Sequence, residues 1–501
     1  MKRFILILSF CATYTFAQKT SKPNIVYILA DDLGIGDVSC YNSNSKIQTT
    51  NIDKLANKGM LFTDAHSSSS VCTPTRYGIL TGRYNWRSTL KSGVLFGYDK
   101  GLLDPKRETV ATFLKTQGYR TGVVGKWHLG WDWANIDAGP TKVDFSKPIQ
   151  NGPNSHGFDY SYCIIGSLDM NPYAYVENGR CTAVPVDTCP AEKGVRFYRA
   201  GMVAPDFKHE EVLPKFTEKA IGFINRHANK DKPFFLYFPL PAPHTPVLPT
   251  GDFIGKSKVS PYGDFVLMVD DVVKQVVEAL KAQGVYENTL IIFTSDNGFS
   301  PAGDLQAQLN KGHNPFMQFR GTKADIFEGG HRVPFIVAWD KKIKKPQVSK
   351  QLVCTTDFFA TIAALFNQQL ADNTAEDSFS FLSEILPPTS KIPKREAIVH
   401  HSINGNFAIR KGDWKLIMCS HSGGWSNPKP DSEEAKKLPP VQLYNLTTDI
   451  GETQNVYDKH PGPVKELTDL LTQYVKNGRS TLGKPQPNDG NPFWKQLTWM
   501  P

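Results

Sequence analysis

Acidic residues follow two apolar runs of the sequence, in pairs that could hold a metal ion. Asp31 and Asp32 come directly after IVYILA, and Asp296 and Asn297 follow TLIIFT and a single serine. Together they offer three carboxylates and one amide, which are the hard oxygen ligands that Ca²⁺ or Mg²⁺ prefers and Zn²⁺ does not. Each pair taken alone is equally typical of a turn or a helix cap. A metal site and two unrelated turns therefore stay open as alternatives at this point.

Basic and imidazole side chains follow two further apolar runs. Lys126 and His128 come after RTGVVG, and His244 comes shortly after FFLYF. A lone lysine is more often a surface residue, and a lone histidine more often an ordinary hydrogen-bonded one. In open α/β sheets, however, functional groups gather beyond the carboxyl ends of the strands. If all four runs are parallel strands, the acidic, basic and imidazole groups meet at one edge of the sheet.

The alternation of strand and helix patterns over roughly the first 340 residues supports that arrangement. Apolar residues at helical spacing predict helices over 214–229 and 262–283, and a third helix is predicted over 109–117, where Gly118 stops it. A strand pattern follows each of them. We therefore predict an α/β fold with a large, mostly parallel sheet sandwiched by helices.

The pattern changes after about residue 395. Short strands are predicted over 397–401, 406–410, 414–418 and 442–446, and a closing helix over 464–475. Such a run of strands with one helix predicts a smaller antiparallel C-terminal subdomain. The predicted organisation is a signal peptide over 1–17, an α/β catalytic domain over 18–395 and a C-terminal α+β subdomain over 396–501.

The first residues and the overall composition indicate an exported protein of ordinary globular type. The start is charged (MKR), the run FILILSF is too short to span a bilayer, and Thr15-Phe16-Ala17 offers a cleavage site. Of 501 residues, 40% are hydrophobic and 21% are charged, as in soluble domains. The net charge of +9 is spread without basic blocks, and no nucleic-acid motif occurs. We expect a periplasmic or extracellular protein with no membrane span and no nucleic-acid partner.

A cysteine motif carries the most specific signal. Cys72-Thr73-Pro74-Thr75-Arg76 is followed closely by Leu80-Thr81-Gly82-Arg83. The two stretches match C-x-P-x-R and the T-G-R segment that mark the sulfatase signature. For C-x-P-x-R alone, a buried structural thiol is an equally good interpretation.

The resemblance to type I, formylglycine-dependent sulfatases of the alkaline phosphatase superfamily extends from Pro23 to about Arg479. Segments that look like the family's active-site segments occur in the same order, as NIVYILADDLG, GKWHLG, PHTP, SDNG and RGTK with EGGHRVP. The resemblance implies a sulfuric ester hydrolase, and no catalytic position departs from the family's pattern.

The resemblance also assigns roles. Cys72 would be oxidised to formylglycine (3-oxoalanine) by a maturation enzyme, and its gem-diol would be the nucleophile. A Ca²⁺ ion, with Mg²⁺ as the alternative, would be held by Asp31, Asp32, Asp296, Asn297 and the modified Cys72. Sulfate oxygens would be neutralised by Arg76, Lys126 and Lys323. His244 would protonate the leaving alcohol, and His128 would accept the second diol proton.

The substrate is expected to be a sulfated oligosaccharide or polysaccharide. Segment 152–178 resembles the branch of arylsulfatase A and N-acetylgalactosamine-6-sulfatase, which implies exo-action on galactose-type or hexosamine-type residues. His400, His401 and Asn404 fall at a turn between C-terminal strands and are predicted to help bind substrate. The alternative for the histidines is a strand with one ring facing solvent.

The remaining cysteines form no CxxC pair, which argues against a zinc ribbon. Cys181 and Cys189 bracket a loop that contains proline, and a disulfide between them is predicted for an exported protein. Two other functions stay open from the residues alone. One is a phosphomonoester or phosphonate monoester hydrolase of the same superfamily, and the other is a non-catalytic binder of sulfated glycans with an unconverted Cys72.

Overall fold

The strands and helices are described by a computed structural model over residues 22–136, 142–228, 230–387 and 394–500. The predicted signal peptide over 1–17 lies outside these residues. The strands are β1 (Asn24–Ala30), β2 (Gly59–Phe62), β3 (Ala65–His66), β4 (Arg120–Lys126), β5 (Tyr160–Ile164), β6 (Val176–Glu177), β7 (Arg180–Cys181), β8 (Asp187–Cys189), β9 (Gly201–Val203), β10 (Phe234–Pro239), β11 (Thr289–Ser295), β12 (Phe335–Ala338), β13 (Gln347–Ser349), β14 (Val353–Cys354), β15 (Ile398–His401), β16 (Phe407–Lys411), β17 (Trp414–Ile417) and β18 (Gln442–Asn445). The helices are α1 (Thr50–Ala56), α2 (Cys72–Thr81), α3 (Val110–Thr116), α4 (Val212–His227), α5 (Pro261–Ala282), α6 (Leu305–Asn310), α7 (Glu328–His331), α8 (Phe358–Leu365), α9 (Leu382–Ile385) and α10 (Pro461–Asn477).

A ten-stranded sheet dominates the fold, in the order β13-β2-β12-β11-β1-β10-β4-β5-β6-β7. The five central strands from β11 to β5 are parallel to one another. The pairs β11–β12, β12–β2, β5–β6 and β6–β7 are antiparallel. The predicted α/β class with a mostly parallel sheet is confirmed, and the antiparallel pairs flank its parallel centre.

Helices cover both faces of this sheet, because its central strands are apolar on both sides. On one face α4 and α5 pack over alternate residues of β1 such as Val26 and Ile28. On the other face lie α2, α3 and α8, over Ile25 and Tyr27. Helix α5 begins as its sequence predicts, with Pro261 in its first turn and the Ser260 hydroxyl accepting a hydrogen bond from Gly263 N.

The C-terminal residues form the predicted antiparallel sheet, in the order β15-β16-β17-β18. Helix α10 packs on this sheet through Leu467 and Leu471. Tyr84 and Trp86, from the N-terminal half of the chain, are buried in the same cluster. The C-terminal sheet therefore shares its core with residues far away in sequence, and the boundary at 395/396 stays a prediction.

Two further observations concern cysteines and membranes. Cys181 and Cys189 are free thiols, so the predicted disulfide is not formed. They lie on β7 and β8, which belong to different sheets, because β7 pairs with β6 and β8 pairs with β9. Within the residues that the structure describes, no helix combines the length and the apolar character needed to cross a membrane.

Candidate active site

Four neighbouring parallel strands carry the candidate residues to one edge of the sheet. Asp31 directly follows β1, Asp296 directly follows β11, Lys126 ends β4, and His244 lies just beyond β10. The strand ends are tied together, since Asp296 N donates to Ala30 O at 3.1 Å and Asp31 N donates to Ala242 O at 2.9 Å. The structure thus brings together the groups that the strand pattern predicted to converge.

Each buried carboxylate at this edge is paired with a buried cation. Lys126 Nζ lies 2.6 Å from Asp31 Oδ2, and Lys323 Nζ lies 2.7 Å from Asp32 Oδ1. Arg76 completes the set, with its Nη2 at 2.8 Å from Asp296 Oδ2. The three predicted sulfate-binding cations therefore surround the three predicted metal-binding carboxylates.

The oxygens of this cluster suit a hard divalent cation. Among the described residues, Asp31 Oδ1 and Asn297 Oδ1 are buried without a hydrogen-bond partner. Ligand atoms of Asp31, Asp32 and His244 all lie within 4.8 Å of one another. Burial and the charge of Asp31 also raise the pKa of Asp296 above its ordinary value, which a divalent cation would reverse. The donor set therefore fits Ca²⁺ or Mg²⁺.

Cys72 is the first residue of α2, at the centre of this arrangement. Its loop is held from both sides, because Ala324 N donates to Ser70 O at 2.8 Å and Ser70 N donates to His401 O at 3.0 Å. Burial raises the pKa of the Cys72 thiol, although Lys126 and Lys323 oppose the effect. The unmodified thiol is therefore protonated near neutral pH and a weak nucleophile.

Arg76 lies one helical turn after Cys72, on the same face of α2. Its Nη1 donates to Lys126 O at 2.8 Å, so the C-x-P-x-R spacing fixes the cysteine relative to the end of β4. Gly82 ends the helix with φ of 64°, and a Cβ there would come within 2.7 Å of the Ala375 side chain. Glycine is therefore required at the end of α2 by both conformation and space.

The two predicted catalytic histidines are both buried and differ in their contacts. His128 Nε2 lies 2.8 Å from Leu95 O, so Nε2 carries the proton and Nδ1 is the basic nitrogen. In the described part of the chain, that Nδ1 is buried without a hydrogen-bond partner. Burial lowers the pKa of His128 well below its ordinary value, and the positive charge of Lys126 is the next largest cause. His128 is therefore a neutral base.

His244 lies on the acidic side of the site. Its Nδ1 contacts Thr245 O, a carbonyl that can only accept, so Nδ1 donates. Its Nε2 lies 3.6 Å from Asp32 Oδ2. His244 thus lies beside the carboxylate cluster, at the edge of the sheet where the strand pattern predicted it.

The predicted substrate-binding residues have different environments. His400 is fully buried, stacks on His331 with ring centroids 3.7 Å apart, and lies with Nδ1 3.2 Å from Ser67 O. His401 is also buried and contacts the ring of Phe407. Asn404 is exposed. Their role in substrate binding stays a prediction.

The histidines His66, His331 and His400 form a buried cluster in which one ring nitrogen of each lies within 4.8 Å of the others. The rings of His331 and His400 are parallel, with 10° between their planes at 3.7 Å, so one ion cannot lie in both ring planes. His66 Nδ1 lies 3.0 Å from His331 Nδ1, and His331 Nε2 lies 3.1 Å from Lys415 Nζ. The cluster is a hydrogen-bonded link between β3, α7 and the C-terminal sheet.

Two features near the site were missed in the sequence. The Leu95 carbonyl, which fixes the tautomer of His128, is a backbone group and leaves no sequence signal. Segment 193–199 (KGVRFYR) lies near the His244 loop, since Val247 N donates to Val195 O at 2.8 Å. Its closely spaced cationic and aromatic residues are the sequence signal for this feature.

The comparisons with known proteins concern almost the whole chain. The family described as Sulfatase matches residues 23–368. An N-acetylgalactosamine-6-O-sulfatase of Bacteroides thetaiotaomicron is 36% identical over 496 residues, covering 91% of this chain and 93% of that protein. Arylsulfatase A of Homo sapiens is 32% identical over 483 residues, covering 93% and 89%. A solved structure from work on the metabolism of multiple glycosaminoglycans by Bacteroides thetaiotaomicron is similar with a TM-score of 0.79 and 35% identity, covering 90% of this chain and 99% of that one.

Proposed function

This chain belongs to the sulfatase family and is a sulfuric ester hydrolase, and we propose that it removes 6-O-sulfate from N-acetylgalactosamine-type or galactose-type residues of sulfated glycans. The observation that carries the proposal is the edge of the sheet where Cys72 lies among Arg76, Lys126 and Lys323. The identity of the sugar is inferred from the relatives, because the bacterial relative that is 36% identical is named N-acetylgalactosamine-6-O-sulfatase.

The cations of the site would bind the sulfate group. A sulfate monoester spreads its charge over several oxygens, and charge-assisted hydrogen bonds from buried cations hold such a group firmly. Lys126 and Lys323 are buried and already lie against carboxylates. They are therefore oriented before substrate arrives, which lowers the reorganisation needed at the transition state.

Two groups absent from the unmodified chain complete the proposed chemistry. Asp31, Asp32, Asp296 and Asn297 would hold a calcium ion, which supplies charge stabilisation for the sulfate oxygens. Cys72 would be converted to formylglycine, whose hydrate supplies the nucleophile that a buried, protonated thiol cannot.

The two imidazoles would then carry out the proton transfers of the reaction. His244, next to the carboxylate cluster, would donate to the leaving alcohol oxygen. His128 would accept a proton at Nδ1, the nitrogen that the hydrogen bond from Nε2 to Leu95 O leaves free. General acid and base roles of this kind are worth about 10²- to 10⁴-fold in rate.

Export and exo-action belong to the same proposal. The signal pattern over 1–17 supports export to the periplasm or beyond, where sulfated polysaccharides occur. A pocket that encloses one terminal sugar excludes internal units by shape. We therefore propose that the enzyme acts on chain ends.

A desulfation screen tests the proposal. The matured enzyme would be given N-acetylgalactosamine 6-sulfate, the 4-sulfate, an intact polymer containing 6-sulfate, and an aryl phosphate. We expect the 6-sulfated sugar to be hydrolysed at least tenfold faster than the 4-sulfated one, and the polymer to lose sulfate only from its ends. Preference for the 4-sulfate contradicts the proposed position, and equal early loss from internal units contradicts exo-action.

A further inference from the structure

An exposed cluster of aromatic and cationic side chains borders the active site. It consists of segment 193–199 (KGVRFYR) together with Phe96, and we refer to it as the rim. The Phe96 and Phe197 side chains are 50% and 36% exposed, and the Arg199 side chain is 43% exposed. Lys193 and Arg196 are exposed as well.

The rim is attached to the loop that positions His128 and to the loop that carries His244. Phe96 directly follows Leu95, whose carbonyl oxygen lies 2.8 Å from His128 Nε2. On the other side, Val195 O accepts the hydrogen bond from Val247 N, three residues beyond His244. The rim therefore lies between the loop that positions His128 and the loop that carries His244.

The geometry of the rim is that of a stacking platform. The Arg199 guanidinium lies 5.7 Å from the centre of the Phe96 ring and 5.2 Å from that of Phe197. Arg199 is also ion-paired with Asp169, which holds it in place. Two phenyl rings held around one guanidinium therefore leave apolar surface exposed to solvent beside the loops of the active site.

We propose that the rim is the binding subsite for the sugar unit next to the sulfated one, and that it selects a unit carrying a carboxylate or a sulfate. The inference rests on the proposed glycan substrate. A pyranose ring offers an apolar face to Phe96 and Phe197, as sugars do on aromatic side chains. Asp169 neutralises the charge of Arg199, so Lys193 and Arg196 supply the attraction for an anionic neighbouring sugar unit.

Three probes separate the two parts of the inference. They are N-acetylgalactosamine 6-sulfate alone, the same unit linked to a hexuronic acid, and the same unit linked to a neutral hexose. The measured quantity is kcat/KM for each disaccharide divided by kcat/KM for the monosaccharide. The rim variants are Phe197→Ala and the double variant Lys193→Ala with Arg196→Ala, which leave the Arg199–Asp169 pair intact.

Matched control variants come from the opposite edge of the sheet. Lys281 Nζ lies 5.1 Å from the centre of the Tyr286 ring, a similar cation and aromatic pair just before the amino end of β11. Lys54 and Lys58 line the same groove as Tyr286. Tyr286→Ala and the double variant Lys54→Ala with Lys58→Ala should therefore leave both ratios at the wild-type value.

We expect Phe197→Ala to lower both ratios by about fivefold, which corresponds to the contribution of about 1 kcal/mol from one stacked ring. The double cation variant should lower only the ratio for the hexuronic acid probe, by about fivefold, and the loss should shrink at high salt. Unchanged ratios in an enzyme that hydrolyses the monosaccharide would overturn this inference alone. A wild-type enzyme that hydrolyses none of the three probes would contradict the proposed function, and the rim assignment with it.

Discussion

At the scale of single residues, the site is organised by charge pairing inside the protein. Asp31, Asp32 and Asp296 are buried, and each has a cationic partner within hydrogen-bond distance. Burial alone would raise the pKa of Asp31, but Lys126, His244 and Arg76 outweigh it and hold that pKa well below its ordinary value. Removal of any one charge therefore takes the nearest counter-charge from its partner in a medium of low polarity, which is costly.

Cys72→Ser tests the proposed modification. In a host whose maturation machinery converts only cysteine, this variant should keep the fold and lose at least about 10³-fold in kcat, as expected when a nucleophile is removed. Peptide mass analysis would show wild-type Cys72 carrying the aldehyde and the variant unchanged. Near-wild-type turnover by the serine variant would refute the formylglycine assignment.

Metal dependence tests the oxygen ligands. Chelation should abolish activity, and Ca²⁺ should restore it better than Zn²⁺, because the donor atoms are hard oxygens. Asp296→Ala should lower metal affinity by at least about tenfold, while Asp296→Asn keeps one ligand oxygen and should bind better than the alanine variant. Bound metal would be measured by elemental analysis alongside turnover. Full stoichiometry and turnover in the alanine variant would rule out this site.

At the scale of elements, a buried link between α7 and the C-terminal sheet joins the segment that carries Lys323 to that sheet. Lys415 on β17 is fully buried and lies 3.0 Å from Glu328 Oε1 and 2.8 Å from Glu452 Oε1. Glu328 begins α7, a few residues after Lys323. The position of Lys323 therefore depends in part on a buried ion pair with the C-terminal sheet.

Lys415→Ala should destabilise the protein strongly. It leaves the buried Glu452 without its cation and Glu328 with Arg332 as its remaining cation, and breaking a buried pair costs about 3–5 kcal/mol. The control is Lys411→Ala, where a partly exposed lysine pairs with Glu396 and Glu466 and the loss should stay within about 1 kcal/mol. Denaturant unfolding would measure both, and equal small losses would show that the buried link contributes little.

At the scale of the whole molecule, buried histidines make stability depend on pH. Burial lowers the pKa of His401 to about 3 and those of His156 and His209 to about 4. Each has a pKa of about 6.5 in the unfolded chain, so below that pH the unfolded state binds more protons than the folded state. The stability they contribute is present above about pH 6.5 and is lost as pH falls towards 4.

The free energy of unfolding should therefore fall steeply on acidification. Three such groups together give a slope of up to about 4 kcal/mol per pH unit near pH 5. Denaturant unfolding at pH 7.5, 6.0 and 5.0 measures it, and His156→Asn should remove about a third of the slope. A flat profile between pH 7.5 and 5.0 would contradict the prediction.

Local pattern was enough to predict the parallel centre of the fold and the residues that converge there. The runs IVYILA, FFLYF and TLIIFT became β1, β10 and β11 within a residue or two, because a strand buried on both faces must be apolar throughout. Parallel strands share an edge for their carboxyl ends, so the placement of Asp31, Lys126, His244 and Asp296 followed from the same pattern. The positions of the C-terminal strands were predicted equally well from short apolar runs between turns.

The remaining features depend on which distant segments meet, and this information is not present in any local window of the sequence. β2 and β12 pair antiparallel although about 270 residues separate them. Cys181 and Cys189 are close in sequence, but strand pairing assigns them to different sheets. The turn pattern predicted a strand at His400 but not the segment it meets, and only the tertiary structure shows that its ring lies against His331. The rim joins Phe96 to Arg199, which are about 100 residues apart in sequence, and only the tertiary structure brings such residues together, because their contact depends on the packing of the loops between them.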